Sequence, residues 1–219
     1  RTLDVLKNAE AVQQAGVSAV LLAPMSYHRL NDSEVYSLFD KVTAELSVPL
    51  CVYENPGATN FTFSNELYAE VTKLPNVAAI KIPGMPFETE AGDKKLAQLR
   101  ELLPAHVAIG VSADKFGAAG MASGCDMWLS VIGGLFPKTV QTMMLAAKTQ
   151  TRSEALATSS EFEQLWQLFA RNRGGMRVMA TAADILGFTE GNCLPEPLQP
   201  LDGEDRHQLE LLLKQRLLG

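Results

Sequence analysis

The sequence lacks several features by which whole classes of proteins are recognised. Pro, Gly or a charged residue interrupts each apolar run within the 219 residues, so no transmembrane helix is predicted. Lys and Arg form no basic stripe and the net charge is −6, so we expect neither a nucleic-acid partner nor attraction to an anionic membrane. We predict a cytoplasmic protein.

Cysteine and histidine are scarce, at three residues each. Cys51 and Cys125 lie inside or beside apolar stretches, and Cys193 stands far from both. This pattern is more typical of reduced thiols than of disulfides or a metal site. The histidines show no spacing typical of metal ligands, so we expect no metal.

The apolar content, 47%, is sufficient for one sizeable core. Short apolar runs alternate with segments of helical spacing, and this alternation predicts a parallel α/β sheet covered by helices. The runs are 17–23, 49–53, 77–80, 107–111 and 127–132. The predicted helices are 3–15, 31–46, 64–74, 94–103, 114–123 and 138–148, followed by 153–171, 176–187 and 203–217.

Two architectures fit this alternation, a doubly wound open sheet and a (β/α)8 barrel. The open nucleotide-binding sheet usually carries a glycine-rich phosphate loop after a strand, and no such loop is found; Gly133-Gly134 is more typical of a tight turn. No Gly- or Ser-rich linker divides the chain. We predict one domain, with the alternating part at 1–150 and a helical segment at 151–219.

Reactive residues in parallel α/β folds lie at the carboxyl ends of strands, and Tyr27, Tyr53 and Lys81 follow successive runs here. A Schiff-base lysine must be neutral, and the apolar residues around Lys81 predict the dry setting that lowers an amine pKa from its usual 10.4. Tyr53 offers a phenol as a proton carrier. By position alone, however, a strand-end lysine is more often a solvated surface residue, and a tyrosine beside a Pro-Gly turn is as often an ordinary core-edge residue.

These segments resemble the dihydrodipicolinate synthase / N-acetylneuraminate lyase superfamily of class I aldolases. The resemblance is carried by residues 19–27, by Tyr-Glu-Asn-Pro-Gly at 53–57, by Ile80-Lys81 and by the spacing between them. Weaker similarity at 112–131 and in the proline-containing segment 195–200 extends it over essentially the whole chain.

The resemblance implies a (β/α)8 TIM barrel with extra C-terminal helices, assembled as a homo-oligomer, either a dimer or a tetramer. It implies that Lys81 forms a covalent imine with pyruvate or a related 2-oxo acid, without a further cofactor, and that Tyr53 relays protons. Tyr27 would reach a neighbouring subunit's site, and Leu129 would contact the bound acid. The expected activity is that of a carbon–carbon lyase or aldolase.

Departures from the family pattern leave the substrate open. Ala58 stands where dihydrodipicolinate synthases usually carry an arginine that binds the aldehyde substrate's carboxylate, so aspartate semialdehyde is not the expected substrate. Ser112 replaces a family glycine in the expected substrate-binding region, and the segment 83–87 after Lys81 is unusual. Two alternatives remain: a 2-oxo-3-deoxy sugar acid dehydratase or hydratase-aldolase, and a non-catalytic relative that binds a 2-oxo acid.

The resemblance also places the family's first three strands ahead of Arg1. We therefore expect the given chain to supply strands 4–8 of the barrel, and to be inactive or poorly folded as an isolated piece.

Overall fold

The computed structural model describes residues 1–87 and 89–217, which group into two compact units. The first unit consists of Arg1–Ser112 and Ser123–Trp128. The second consists of Ala113–Ala122 and the residues from Leu129 onward.

The first unit is a parallel sheet with helices between its strands. Its five strands are β1 (Val20–Leu22), β2 (Leu50–Tyr53), β3 (Val77–Ile82), β4 (Ala108–Val111) and β5 (Met127–Trp128). Its helices are α1 (Thr2–Gln14), α2 (Asp32–Ala44), α3 (Pro56–Thr59), α4 (Asn65–Val71) and α5 (Glu90–Leu102).

The strand order β1-β2-β3-β4-β5 decides between the two architectures that the sequence left open. A doubly wound sheet reverses its order at a switch point, whereas each strand here pairs in parallel with the next one along the chain. Because such crossovers are almost always right-handed, a sheet that grows in one direction places its helices on one face. The predicted parallel α/β class is confirmed, and the order is that of consecutive barrel strands.

Side-chain caps set the starts of two predicted helices. The Asn31 side chain accepts the Glu34 N–H at 2.9 Å, and the Glu34 carboxylate accepts the Asn31 N–H at 2.8 Å. The Ser64 hydroxyl accepts the Leu67 N–H at 3.1 Å. Each cap satisfies backbone donors that the first helical turn leaves without partners, which confirms both predicted starts.

The two faces of the sheet differ in burial. Because side chains alternate along a strand, every second residue points to the same face. One face is essentially inaccessible and consists of Leu50, Val52, Ile80, Ile82, Ile109 and Val111. The opposite face is half-buried or exposed at Leu21, Cys51, Tyr53, Lys81, Ala108 and Met127. Of the reactive groups that the sequence singled out, Tyr53 and Lys81 therefore lie on the more accessible face.

The second unit is helical. It contains α6 (Gly117–Ala122), α7 (Pro137–Thr149), α8 (Arg152–Ser160), α9 (Glu163–Arg171), α10 (Gly175–Ile185) and α11 (Gly203–Leu212). Short 3-10 turns occupy Asp114–Phe116 and Ile132–Gly134, and a π-helical turn occupies Leu213–Leu217. Within the described ranges, none of the helices of either unit has the length and apolar content required to cross a bilayer.

Two element predictions were wrong, and a side-chain hydrogen bond accompanies each difference. The run 127–132 stops being a strand at Trp128, because the Asp114 carboxylate accepts the N–H groups of Val131 and Ile132 at 3.1 Å. The predicted helix 153–171 is two helices, separated at a turn where the Trp166 indole N–H donates to the Ser159 carbonyl at 3.0 Å. The short helix α3 was not predicted.

Candidate active site

Tyr53 and Lys81 lie side by side at the carboxyl ends of β2 and β3. Their Cα atoms are register partners, so both side chains project from the same face of the sheet. The Lys81 Nζ lies 3.9 Å from the centroid of the Tyr53 ring. The amine is therefore in direct contact with the face of the phenol ring. The Glu54 N–H donates to the Lys81 carbonyl at 3.0 Å and fixes the two strand ends together.

Asn55 contacts the phenolic oxygen of Tyr53. Its side-chain amide Nδ2 donates to the Tyr53 Oη at 2.9 Å. Asn55 directly precedes α3, whose first residue is Pro56. The oxygen that the sequence predicted to carry protons therefore has a defined hydrogen-bond donor.

Cys51 lies two residues before Tyr53 and so projects from the same face of the sheet. Burial raises the pKa of its thiol to about 11, and the nearby Lys81 amine acts in the opposite direction. The thiol is therefore protonated at neutral pH, and it adds a small apolar neighbour to the amine rather than a second nucleophile.

Two of the residues predicted to bind substrate, Ser112 and Ala58, lie in the first unit. Ser112 is buried, and its hydroxyl donates to the Ile82 carbonyl at 2.9 Å, which joins the ends of β3 and β4. By alternation it shares a face with Lys81, whose Cα is the register partner of Gly110. Ala58 lies in α3 and is exposed, so this position contributes neither charge nor a side-chain hydrogen bond.

The structure does not bring Tyr27 to the pair formed by Tyr53 and Lys81. Its side chain is 98% exposed and makes an edge contact with His28 at a centroid distance of 5.1 Å. It lines an open groove of about 980 Å³ between the start of α1 and α2. Leu129 is half-buried and belongs to the second unit.

Residues 1–87 and 89–217 contain no group of three or more His, Cys, Asp or Glu arranged to hold a metal ion. The Glu54 carboxylate, next to Tyr53, is hydrogen-bonded to the Phe63 N–H and the Tyr68 hydroxyl, and the Cys51 thiol is protonated. Sequence reasoning missed Cys51 and Asn55 as neighbours of the site. Alternation along β2 would have placed Cys51 beside Tyr53, but no sequence signal gives the direction of the Asn55 amide.

Comparison with known proteins supplies independent evidence. The sequence model of the dihydrodipicolinate synthetase family matches residues 1–216. A 4-hydroxy-tetrahydrodipicolinate synthase of Chlorobium phaeobacteroides is 28% identical over 212 residues, which span 95% of this chain and 67% of that protein. The crystal structure of a dihydrodipicolinate synthase from Agrobacterium tumefaciens superposes with a TM-score of 0.90 at 36% identity, over 98% of this chain and 71% of that one.

A more distant structure, the dihydrodipicolinate synthase of Aquifex aeolicus, gives a TM-score of 0.85 at 20% identity and covers 98% of this chain and 71% of its own. These similarities confirm the family resemblance that the sequence predicted.

Proposed function

Because the chain belongs to the dihydrodipicolinate synthetase family of lyases, we propose that it binds pyruvate or a related 2-oxo acid as an imine on Lys81. The observation that carries the proposal is the position of the Lys81 amine, 3.9 Å from the Tyr53 ring centroid on the neighbouring strand. Imine formation requires an amine nucleophile and a proton carrier, and these two side chains supply them. The imine is itself the electron sink, so the reaction uses no separate cofactor.

The proposed reaction forms an imine on Lys81 and then makes or breaks a carbon–carbon bond. The neutral Lys81 Nζ attacks the C2 carbonyl of the 2-oxo acid, and transfer of one amine proton to the carbonyl oxygen gives a carbinolamine. Tyr53 donates its phenolic proton to the carbinolamine hydroxyl, which leaves as water, and the C=N bond forms. The Tyr53 phenolate then takes a proton from C3, and the resulting enamine attacks an aldehyde, whose oxygen receives that proton back from the phenol. In the reverse direction the same protonated imine accepts the electron pair of a breaking carbon–carbon bond.

Ala58 favours a second reaction that uses the same imine. An aldehyde that carries a carboxylate would be bound best by a bidentate cation, and this exposed alanine supplies none. Dehydration, or hydration with aldol cleavage, of a 2-oxo-3-deoxy sugar acid makes no such demand at this position. Turnover of a panel of these acids, compared with condensation of pyruvate and aspartate semialdehyde, separates the two reactions.

We further propose that copies of the chain associate. The chain forms a homo-oligomer, a dimer or a tetramer, in which Tyr27 reaches a neighbouring subunit's site. The 98% exposure of Tyr27 supports this, because a large aromatic side chain on an open groove is available to a second copy. Light scattering on the purified protein should give a multiple of the subunit mass, and a monomer would contradict the assembly.

We also propose that β1–β5 are the fourth to eighth strands of a (β/α)8 barrel. Residues 151–219 are then the C-terminal helical segment of the same domain. A crystal structure of the protein expressed from its complete gene tests this assignment, and a sheet that stays open beyond β1 and β5 would contradict it.

Borohydride trapping tests the central proposal. The protein expressed from its complete gene is incubated with pyruvate, reduced with sodium borohydride and digested, and mass spectrometry locates the modified lysine. The adduct is expected on Lys81, and Lys81→Arg should abolish it. Lys94→Arg changes an exposed lysine on α5 that pairs with Glu90, and it should leave the adduct unchanged. An unmodified Lys81 in the wild type would overturn the proposal, and an adduct without turnover of any acid tested would indicate the non-catalytic alternative.

A further inference from the structure

The hydrogen bond between Asn55 and Tyr53 determines where the phenolic proton can point. The Asn55 Nδ2 donates to the Tyr53 Oη at 2.9 Å. A phenol oxygen can both donate and accept, and here one lone pair receives the amide N–H. The O–H proton must therefore point away from Asn55, and it is free to be given to another group.

Asn55 is itself held in place by its backbone. Its carbonyl accepts the N–H groups of Ala58 at 3.0 Å and Thr59 at 2.9 Å, together with the Thr59 hydroxyl at 3.0 Å. The next residue is Pro56, which fixes its own φ and favours the start of a helix. The preceding residue, Glu54, is tied to the Lys81 carbonyl.

The amide also has a defined orientation relative to α3. A Cβ atom at Gly57 would lie 3.8 Å from the Asn55 Oδ1, in ordinary van der Waals contact. The carbonyl oxygen of the amide thus lies toward the start of α3, while its nitrogen faces Tyr53.

We propose that Asn55 is a positioning residue that directs the Tyr53 proton toward the oxygen of the bound substrate. The inference rests on the proposed function, in which Tyr53 protonates the carbinolamine hydroxyl. Once the proton has left, the amide N–H continues to stabilise the negative oxygen, so the same contact serves before and after the transfer. Asn55 acts through Tyr53 and does not itself touch the reacting atoms.

Replacement of Asn55 by Asp distinguishes positioning from a structural role. Aspartate has nearly the same shape but is acceptor-only when ionised, so it would accept the Tyr53 O–H and withdraw the proton from the substrate. Leucine has similar size and makes no hydrogen bond. A structural role predicts that Asn55→Asp is the milder change, whereas positioning predicts that it is the more harmful one.

The rate of imine formation with pyruvate is measured by quenching with borohydride at successive times, in the protein expressed from its complete gene. We expect Asn55→Asp to lower the rate about 100-fold, within the range of a general-acid contribution, and Asn55→Leu about tenfold. Urea unfolding of each variant identifies any loss that comes from stability alone. Equal rates for Asn55→Asp and the wild type, or a slower Asn55→Leu, would overturn the inference.

The double variant with Tyr53→Phe completes the test. If Asn55 acts only through the Tyr53 phenol, Asn55→Asp should have no further effect once that hydroxyl is absent. An equally large effect in the Tyr53→Phe background would also overturn the inference. An absent adduct in the wild type, or an unchanged rate in Tyr53→Phe alone, would instead overturn the proposed function, so the two failures are distinguishable.

Discussion

The phenol of Tyr68 donates a hydrogen bond of 2.6 Å to the carboxylate of Glu54, the residue that follows Tyr53. The second oxygen of Glu54 accepts the N–H of Phe63 at 3.0 Å. Glu54 is 6% exposed and Tyr68 is fully buried, with its ring stacked on Phe63 at a centroid distance of 4.8 Å. A carboxylate in such a place requires hydrogen-bond donors, and these contacts join the end of β2 to α4.

Tyr68→Phe should destabilise the protein, because it keeps the ring and removes only the donor to a buried carboxylate. We expect the free energy of unfolding to fall by about 1.5–3 kcal/mol, the range for hydrogen bonds to charged groups. Urea unfolding followed by circular dichroism measures it. Tyr36→Phe changes a half-buried tyrosine on α2 and is the matched control. Similar losses in the two variants would contradict the assigned role of the contact.

The cysteines should differ in their reaction with iodoacetamide. Burial raises the thiol pKa of both Cys51 and Cys125 to about 11, so about one molecule in 10³ carries the thiolate at pH 8. Cys193 is exposed and should be alkylated first. Mass spectrometry at successive times follows each site. Because the thiolate is the nucleophile, alkylation of Cys51 should accelerate about tenfold per pH unit between pH 8 and 10. Modification of Cys51 as fast as Cys193 at pH 8 would contradict the raised pKa of the Cys51 thiol.

Gly92→Ala should disturb the segment that follows Lys81. A Cβ atom at Gly92 would lie 2.6 Å from the Phe87 Cα and 2.9 Å from the Pro86 carbonyl oxygen. Both are backbone atoms, so the chain itself must shift, and we expect a loss of about 1–3 kcal/mol in the free energy of unfolding. Gly134→Ala is the control, since a Cβ atom there meets nothing within 4 Å. An unchanged free energy of unfolding in Gly92→Ala would show that the backbone at Pro86 and Phe87 can shift without loss of stability.

Asp114→Ala should open the turn that begins at Val131 in the second unit. The Asp114 carboxylate is 2% exposed and accepts the N–H groups of Val131 and Ile132 at 3.1 Å. The buried Ile132 N–H, left without a partner, costs about 1–3 kcal/mol. Hydrogen exchange of a peptide containing Val131 and Ile132 should accelerate in the variant. Asp202→Ala removes an exposed carboxylate that makes no side-chain cap to α11 and should leave this exchange unchanged.

Several features of the protein follow from local sequence. Apolar runs and helical spacings gave five strands in their correct order along the chain, and Asn31 and Ser64 marked two helix starts. The adjacency of Tyr53 and Lys81 also followed, because consecutive parallel strands end at the same edge of a sheet. These features are set by backbone periodicity and by hydrogen bonds over three or four residues, which the sequence displays directly.

Other features were decided by tertiary structure alone. The early end of β5 depends on Asp114, and the burial of Glu54 depends on a tyrosine fourteen residues away. The direction of the Asn55 amide toward Tyr53 depends on how α3 turns at the end of β2. A hydrogen bond between residues distant in sequence leaves no periodic signal. Each partner could equally well be hydrogen-bonded to a neighbouring residue or to water. The sequence therefore determined which side chains reach the edge of the sheet, and the packed chain decided which proton donors and acceptors meet there.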